Sequence, residues 1–261
     1  MNKDYDAIAK QVRRDIINML TDAGSGHPGS SLSMVDILTV LYFGILETEG
    51  PDRDCFVLSK GHAAPALYSV LSLKGIIERE VLTTFRKYGS ILQGHPDALL
   101  CPGVETSTGS LGQGISIAVG MALGIKLRKS KGHVYVALGD GEMQEGQVWE
   151  ALMSAAHYHL DNLTVIIDCN GLQIDGTNEQ VMSLGDLPGK LRSFGLRTFE
   201  VDGHDYAQLE DALKARASDV PTGIIAHTIK GKGISFMEGQ VSWHGAVIKE
   251  ELRKKALEEL G

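Results

Sequence analysis

Two oxygen-bearing side chains follow stretches of sequence that are typical of buried strands. Asp140 lies between two glycines directly after the apolar run 134–138, and Asn170 follows the run 163–168, thirty residues beyond Asp140. A hard cation such as Mg²⁺ takes carboxylate, amide and carbonyl oxygens, and a diphosphate would complete its shell. The glycines let the backbone approach phosphate, and a helix expected to start near Met143 points its N-terminus at the same place. This combination predicts a diphosphate and metal site, although Gly-Asp-Gly alone is more often a simple turn.

Histidine is the second chemical signal in the sequence. Five of the nine histidines directly follow a glycine, namely His27, His62, His95, His133 and His204. His244 has the reverse order, with glycine after it. A neighbouring glycine allows an irregular backbone that presents the imidazole on a loop, where it can bind phosphate or move protons near neutral pH. No pair of histidines has the spacing of familiar zinc ligands.

Four histidines have positions that favour a structural role. His133 opens a predicted strand and His204 follows another, so we expect both to stabilise the fold. His157 and His159 lie in a stretch that reads as a helix, where we expect surface or packing positions.

Two further segments are candidates for binding phosphate or a ring system. The glycine-rich stretch 107–114 leads into the apolar run 115–127, and its backbone groups suit either a flat heterocycle or a phosphate. Lys230 follows a predicted strand and can pair with a diphosphate, or it can be an ordinary solvated lysine. Residue types alone leave both choices open.

The elements that must position these residues alternate between strands and helices. Short apolar runs at 55–58, 134–138, 163–168, 197–201 and 223–227 read as strands, with helical stretches between them. This alternation predicts an α/β fold: a doubly wound, mostly parallel sheet with helices on both faces. Ligands of such sheets bind at the carboxyl ends of the strands.

Segments outside the strands complete the expected single domain over residues 1–261. The apolar spacing over 5–20 predicts an amphipathic helix, and 248–260 predicts a charged terminal helix. The stretch 171–195 is rich in Gly, Asp and Asn, which predicts an irregular surface loop beside the site.

Composition narrows the function classes. The chain has 261 residues, a net charge of -8 and 43% hydrophobic residues, with no long basic run of the kind that binds nucleic acid. No apolar run reaches the ~18 residues of a membrane span, and the charged N-terminus is unlike a signal peptide, so we expect a cytoplasmic protein without a membrane partner. Cys55, Cys101 and Cys169 form no CxxC pair, and we expect buried, reduced thiols.

Seven motifs together resemble transketolase. They occur in the family's order, cover nearly the whole chain, and are Ser25-Gly26-His27-Pro28-Gly29, Ser59-Lys60-Gly61-His62, Gly94-His95-Pro96, Thr108-Gly109-Ser110-Leu111-Gly112-Gln113-Gly114, Gly139-Asp140-Gly141-Glu142-Met143-Gln144-Glu145-Gly146, Asp168-Cys169-Asn170 and Trp243-His244-Gly245. The resemblance implies the thiamine-diphosphate-binding fold, in the form of the domain that holds the diphosphate.

The resemblance also implies roles for individual residues. It assigns the metal, Mg²⁺ with Ca²⁺ or Mn²⁺ as substitutes, to Asp140, Asn170 and the carbonyl of Leu172. It assigns catalysis to His27, His62, His95 and His244, of which His27, His95 and His244 are also implied to contact the donor sugar. The residues implied to bind thiamine diphosphate are His27, Ser30, His62, Gly109, Ser110, Leu111, Asp140, Gly141, Glu142, Asn170, Lys230 and His244. Ser110 stands where many relatives have proline, which still permits the loop.

The implied reaction moves a two-carbon ketol unit from a ketose phosphate to an aldose phosphate, with the cofactor as electron sink. Complete transketolases carry a pyrimidine-binding domain, which supplies an activating glutamate, and a C-terminal domain. This chain ends about where the first domain would end, so either it is a piece of a longer transketolase or the enzyme is split between two genes. The charged terminal helix and the initial Met1 favour a split enzyme, for which we expect a partner chain with both missing domains and an α₂β₂ assembly. Glu145 and Glu150 resemble family carboxylates that link two active sites across the dimer, and exposed helix carboxylates would look the same.

Three alternatives remain at this stage. A 2-oxo acid dehydrogenase component shares the metal motif, although the sugar-type histidines speak against it. A transketolase that acts on a sulfonated or branched sugar would keep every motif. A non-catalytic cofactor-binding subunit is less consistent with the histidines, because a scaffold does not need them.

Overall fold

The computed structural model describes residues 4–216 and 218–261. It contains a five-stranded sheet in the order β1-β2-β3-β5-β4, in which every pair of neighbouring strands is parallel. The strands are β1 Cys55–Leu58, β2 Val134–Gly139, β3 Leu163–Cys169, β4 Arg197–Asp202 and β5 Thr222–His227. All five predicted strands are therefore confirmed, and β2 to β5 each extend slightly beyond the predicted bounds. The carboxyl ends of all five face one edge of the sheet.

Helices cover both faces of this sheet. The helices are α1 Tyr5–Ala23, α2 Pro28–Ser33, α3 Val35–Val40, α4 Ala64–Leu73, α5 Gln113–Leu127, α6 Gly146–His157, α7 Asn178–Val181, α8 Leu187–Ser193, α9 Tyr206–Lys214 and α10 Glu250–Glu259. Buried side chains of α1–α4, α9 and α10 share one hydrophobic core, whereas those of α5, α6 and α8 share another. The predicted doubly wound α/β fold is confirmed.

Alternation along the strands explains why two cores form. Ala137, Ile166 and Ile224 are in register across three strands and enter the first core. The next residues along, including Leu138 and Ile167, point the other way into the second core. Strands buried on both faces are continuously apolar, which is why short apolar runs located them in the sequence.

The chain after β2 differs from the prediction. The α-helix begins at Gly146 rather than near Met143, and a 3₁₀ turn, Gly141–Gln144, comes first. The reason is Glu142, whose carboxylate turns back to accept the N–H of Gly139 at 3.2 Å and so holds the turn against the strand end. The candidate site consequently faces this turn and not the first turn of α6.

Two other predictions were wrong in detail. His157 ends α6 as expected, but His159 lies beyond the helix in a left-handed conformation with φ of 50°. The stretch 171–195 lies beside the site as predicted, but it is not irregular throughout, because it contains the short helices α7 and α8. Thr177 forms a reciprocal capping box with Gln180, and Asp186 caps the start of α8, so side chains that suggested a loop in fact begin helices.

The three cysteines are free thiols, with Cys55 and Cys101 buried and Cys169 half-buried. Within the described ranges, no helix is both long and apolar enough to span a bilayer.

Candidate active site

A cavity of about 330 Å³ lies at the carboxyl edge of the sheet. Twelve of the fourteen residues predicted for the site line it, namely His27, Ser30, His62, His95, Gly109, Leu111, Asp140, Gly141, Glu142, Asn170, Leu172 and His244. Parallel strands bring their loops together at this edge, which is why segments far apart in sequence meet here. Ser110 is exposed and lies outside the lining, and Lys230 is reached through its contacts with two lining residues.

The oxygen donors predicted for the metal come from the ends of the neighbouring strands β2 and β3. The Asp140 carboxylate accepts the N–H of Gly141 at 2.8 Å and of Gly171 at 2.5 Å, which ties the two strand ends together. Asn170 and the carbonyl of Leu172 lie in the lining beside it. Burial and the charge of Asp168 raise the pKa of Asp140. A nearby cation would relieve that cost by favouring the carboxylate.

Two buried lysines place positive charge at this edge. Lys60 pairs with Asp168, and both side chains are almost completely buried. Asp168 also accepts a hydrogen bond from Ser33 at 2.6 Å. These partners lower the pKa of Asp168 although burial opposes them.

Lys230, the second buried lysine, contacts two residues of the cavity lining. Its Nζ donates to the Leu172 carbonyl at 3.3 Å and lies 3.0 Å from His244 Nδ1. Burial, assisted by Lys60, lowers the pKa of Lys230 to about 8.

Four histidines form a cluster with His27 at its centre. The ring centroids of His62, His95 and His244 lie 5.4, 6.2 and 5.6 Å from that of His27. Burial, with help from neighbouring cations, lowers the pKa of His27 and of His244 to about 4, and it also lowers the pKa of His62 and His95. All four imidazoles are therefore neutral at pH 7, and each can donate at one nitrogen and accept at the other.

Glu142 connects three segments that bound the cavity. Its carboxylate accepts from Ser59 Oγ at 2.5 Å and from the N–H of Gly112 at 2.9 Å, in addition to Gly139. Gly112 has φ of 80°, and a Cβ there would lie 2.9 Å from Glu145 Cβ, so glycine is required both by conformation and by space. Glu142 thus lines the cavity, but protein donors occupy its carboxylate.

Sequence reasoning did not identify six lining residues as neighbours of the cofactor or substrate. These six are Lys60, Gly139, Gln144, Glu145, Gln173 and Ile174. The signal for Lys60 was its position in the motif of His62, two residues away.

The residues present fit a divalent cation and a diphosphate. Asp140, Asn170 and Leu172 offer only oxygen, the ligand type of hard cations. Among residues 4–216 and 218–261, no group of three His, Cys, Asp or Glu side chains could hold a metal. The candidate set consists instead of one such side chain, Asp140, together with the Asn170 amide and the Leu172 carbonyl. His27 Nδ1 is buried and has no partner among the described residues, so it is free for a ligand atom.

Comparisons with known proteins agree with this geometry. The family described as "Transketolase, thiamine diphosphate binding domain" matches residues 5–261, which places the chain among proteins that bind this cofactor. The chain belongs to the transketolase family.

Two similar curated proteins are bacterial transketolase subunits of comparable length. The chain is 43% identical to an apulose-4-phosphate transketolase subunit of Phocaeicola vulgatus, covering 95% of this chain and 90% of that protein. It is 40% identical to a 6-deoxy-6-sulfo-D-fructose transketolase subunit of a Clostridium species, covering 98% and 96%.

Solved transketolases share the fold over part of their length. The crystal structure of transketolase from Campylobacter jejuni superposes with a TM-score of 0.93 at 36% identity. The alignment covers all of this chain but only 43% of that transketolase.

Proposed function

We propose that this chain is the diphosphate-binding subunit of a split transketolase, which transfers a two-carbon ketol unit between sugar phosphates. The observation that carries the proposal is one cavity that combines four neutral imidazoles with an all-oxygen donor set, beside a buried lysine, Lys230, that contacts two of the lining residues. The oxygen set and Lys230 suit a metal diphosphate, and the imidazoles suit the hydroxyl groups of a sugar. The 2-oxo acid dehydrogenase alternative is not favoured, because the family and the relatives are transketolases.

We assign the cofactor's diphosphate and its Mg²⁺ to the edge formed by β2 and β3. Asp140, Asn170 and the Leu172 carbonyl would hold the metal, with Ca²⁺ or Mn²⁺ as substitutes. Lys230 would face the diphosphate, and Gly109, Gly141 and Leu111 would contact it through their backbones. Thiamine diphosphate, when bound, supplies the electron sink for breaking the carbon–carbon bond of the donor sugar.

The histidine cluster would handle protons and hydroxyl groups of the substrate. A neutral imidazole can accept a proton from a hydroxyl and return it, which a permanently charged one cannot do. His27 is central, because its ring is within 6.2 Å of the other three and its Nδ1 is unpartnered among the described residues. His95 and His244 would fix the sugar on either side of it, which limits the geometries that react.

The proposal includes a partner chain. The relatives from Phocaeicola and Clostridium are each named as one subunit of a transketolase, which supports a second chain that carries the pyrimidine-binding and C-terminal domains. We propose an α₂β₂ assembly in the cytoplasm, with Glu145 and Glu150 near the contact between sites. Both carboxylates are exposed in the single chain, as an interface role requires.

The test is ketol transfer from xylulose 5-phosphate to ribose 5-phosphate with thiamine diphosphate and Mg²⁺. The chain is assayed alone and mixed with the product of an adjacent transketolase-like gene. We expect activity only in the mixture, and its loss in His27→Ala while the complex still forms. Activity that survives in His27→Ala would contradict the role given to this histidine, and a complex that binds cofactor without turning over any ketose phosphate would contradict the proposed reaction.

The donor sugar is a separate arm of the same assay. Two relatives are named for other sugars, so apulose 4-phosphate and 6-deoxy-6-sulfofructose are included as donors. If one of these is turned over and xylulose 5-phosphate is not, the assigned donor changes from a pentose phosphate to that sugar, and the assigned reaction, ketol transfer, still holds.

A further inference from the structure

Arg86 lies between the chain segments that carry two of the clustered histidines. Its Nη1 donates to Ser25 Oγ at 3.0 Å, two residues before His27. On the other side, a Cβ built on Gly94 would lie 2.7 Å from both Nε and Nη2 of Arg86. The guanidinium therefore packs directly on the backbone before His95. Arg86 itself lies outside the set of described residues that line the cavity.

The backbone of Arg86 is held in an uncommon conformation. Its φ is 60°, in the left-handed region that residues with a side chain seldom adopt because their Cβ is strained there. The Arg86 N–H donates to the Leu92 carbonyl at 2.8 Å, which closes the turn that returns the chain toward His95. This turn aims the side chain back at Ser25 and Gly94.

We propose that Arg86 is a positioning residue for His27 and His95, joining the two segments that present them to the substrate. The inference rests on the proposed function for the meaning of the two histidines, but the contacts of Arg86 are independent of it. The charge of Arg86 adds a second effect, because it contributes, after burial, to the lowered pKa of both imidazoles. Removing the guanidinium should loosen both loops and make both rings easier to protonate.

Other groups near the two rings also influence their pKa values. His27 is affected by His95 and Lys230 as well as Arg86, and its ring also neighbours those of His62 and His244. A substitution at Arg86 leaves each of these side chains in place in the sequence. A change in the midpoint of either ring that is absent from the control variants is therefore a consequence of losing Arg86, through its charge or through the loops that it joins.

The experiment is a histidine titration followed by NMR on the full chain labelled with ¹³C at the imidazoles. In Arg86→Gln we expect the midpoints of His27 and His95 to rise by about 0.5 unit or more, while His133 stays as in the unsubstituted chain. His133 serves as the folding reference, because burial lowers its pKa to about 3 and unfolding would return it toward 6.5. Arg128→Gln, which removes an exposed arginine at the end of α5, is the matched control.

A second variant keeps the arginine and moves it. Gly94→Ala places a methyl group where the guanidinium lies, so we expect smaller upward shifts of the same two midpoints, with Gly120→Ala as the control in open space. Arg86→Lys keeps the charge but loses the two-sided contact, and we expect it to leave the midpoints lowered. Unchanged midpoints in Arg86→Gln with His133 in its folded position would overturn the proposal.

Activity of the two-chain enzyme gives the positioning readout. We expect Arg86→Gln to lower kcat/KM about tenfold and to move the acid limb of its pH profile upward, an effect that a purely structural residue would not have. If the enzyme shows no ketol transfer at all, the proposed function fails, whereas the NMR result on Arg86 still stands or falls by itself.

Discussion

His204 donates from Nδ1 to Asp36 Oδ2 across 2.6 Å while its Nε2 accepts the backbone N–H of Ile229 at 2.9 Å. Because the backbone N–H of Ile229 can only donate, the ring is fixed in one tautomer. Asp36 is buried in α3 and also accepts from Arg13 Nη2 at 2.6 Å. This connection ties the residue before Lys230 to the helices that cover the sheet.

Replacing His204 with leucine should destabilise the fold. Asp36 would lose one hydrogen bond and the Ile229 N–H would lose its acceptor, so we expect the free energy of unfolding in urea to fall by about 1–3 kcal/mol. The control is His227→Leu, at the end of β5, whose ring is largely exposed and 3.4 Å from Glu200. Equal losses in the two variants would show that the Asp36 connection adds nothing.

Replacing Lys60 with methionine should cost more than any surface ion pair. It leaves the Asp168 carboxylate buried without its cation, a change that typically costs about 3–5 kcal/mol. Adding Asp168→Asn removes the unpaired charge, so we expect the double variant to recover part of the loss in urea unfolding. Lys214→Met, in an exposed helix pair with Glu210, should cost about 0–1 kcal/mol. Strictly additive losses at positions 60 and 168 would refute the coupling.

His133 should make the fold sensitive to acid. Burial, with the Arg216 charge, lowers its pKa from 6.5 to about 3, and the ring contacts Thr164 Oγ1 at 2.8 Å. Between these pH values the unfolded chain binds a proton at His133 that the folded chain does not bind. The contribution of neutral His133 to the free energy of unfolding is therefore complete above pH 6.5 and is lost as pH falls toward 3.

The measurement is the free energy of unfolding in urea at several pH values between about 7.5 and 5. In His133→Gln we expect the slope of the unfolding free energy against pH to be shallower, by at most about 1.4 kcal/mol per pH unit. His157→Gln, at an exposed position, should keep the original slope. The prediction does not survive if the slopes of both variants are the same.

Replacing Glu142 with alanine should weaken cofactor binding. The N–H groups of Gly112 and Gly139 and the hydroxyl of Ser59 would lose their shared acceptor, and the three segments would no longer be held at one distance. We expect the Kd of thiamine diphosphate, measured by calorimetry on the two-chain complex with Mg²⁺, to rise at least about tenfold, or 1.4 kcal/mol. Glu179→Ala, on the exposed face of α7, is the control, and an unchanged Kd in the Glu142 variant would contradict the prediction.

The strands and the place of the site followed from the sequence for a physical reason. Strands that are buried on both faces must be apolar throughout, and the residues after them must meet at one edge. That rule brought Asp140 and Asn170 to one edge, where both line the cavity. The rule predicts which residues come near the edge, but it does not predict the direction in which their side chains point.

Contacts between distant segments were invisible in the sequence. Nothing local to Lys60 shows that it is buried, because its partner Asp168 is 108 residues away. The sequence also did not show that the Glu142 carboxylate folds back onto the end of β2, or that α6 begins only at Gly146. Arg86 gave no signal at all, since its importance comes from Ser25 and Gly94, which approach it only in the folded chain.

Because the strands are parallel, the candidate site lies at their carboxyl ends, and the opposite edge of the sheet, at their amino ends, is available for attaching a probe. All candidate residues lie where the strands leave the sheet, whereas the turn at 49–50, which leads into β1, is exposed at the other end, and Gly50 has open space around it. A fluorophore, an affinity peptide or a surface linker attached at that turn would be separated from the cavity by the full length of the strands. The chain can therefore be immobilised or observed there while the cavity and its loops stay chemically untouched.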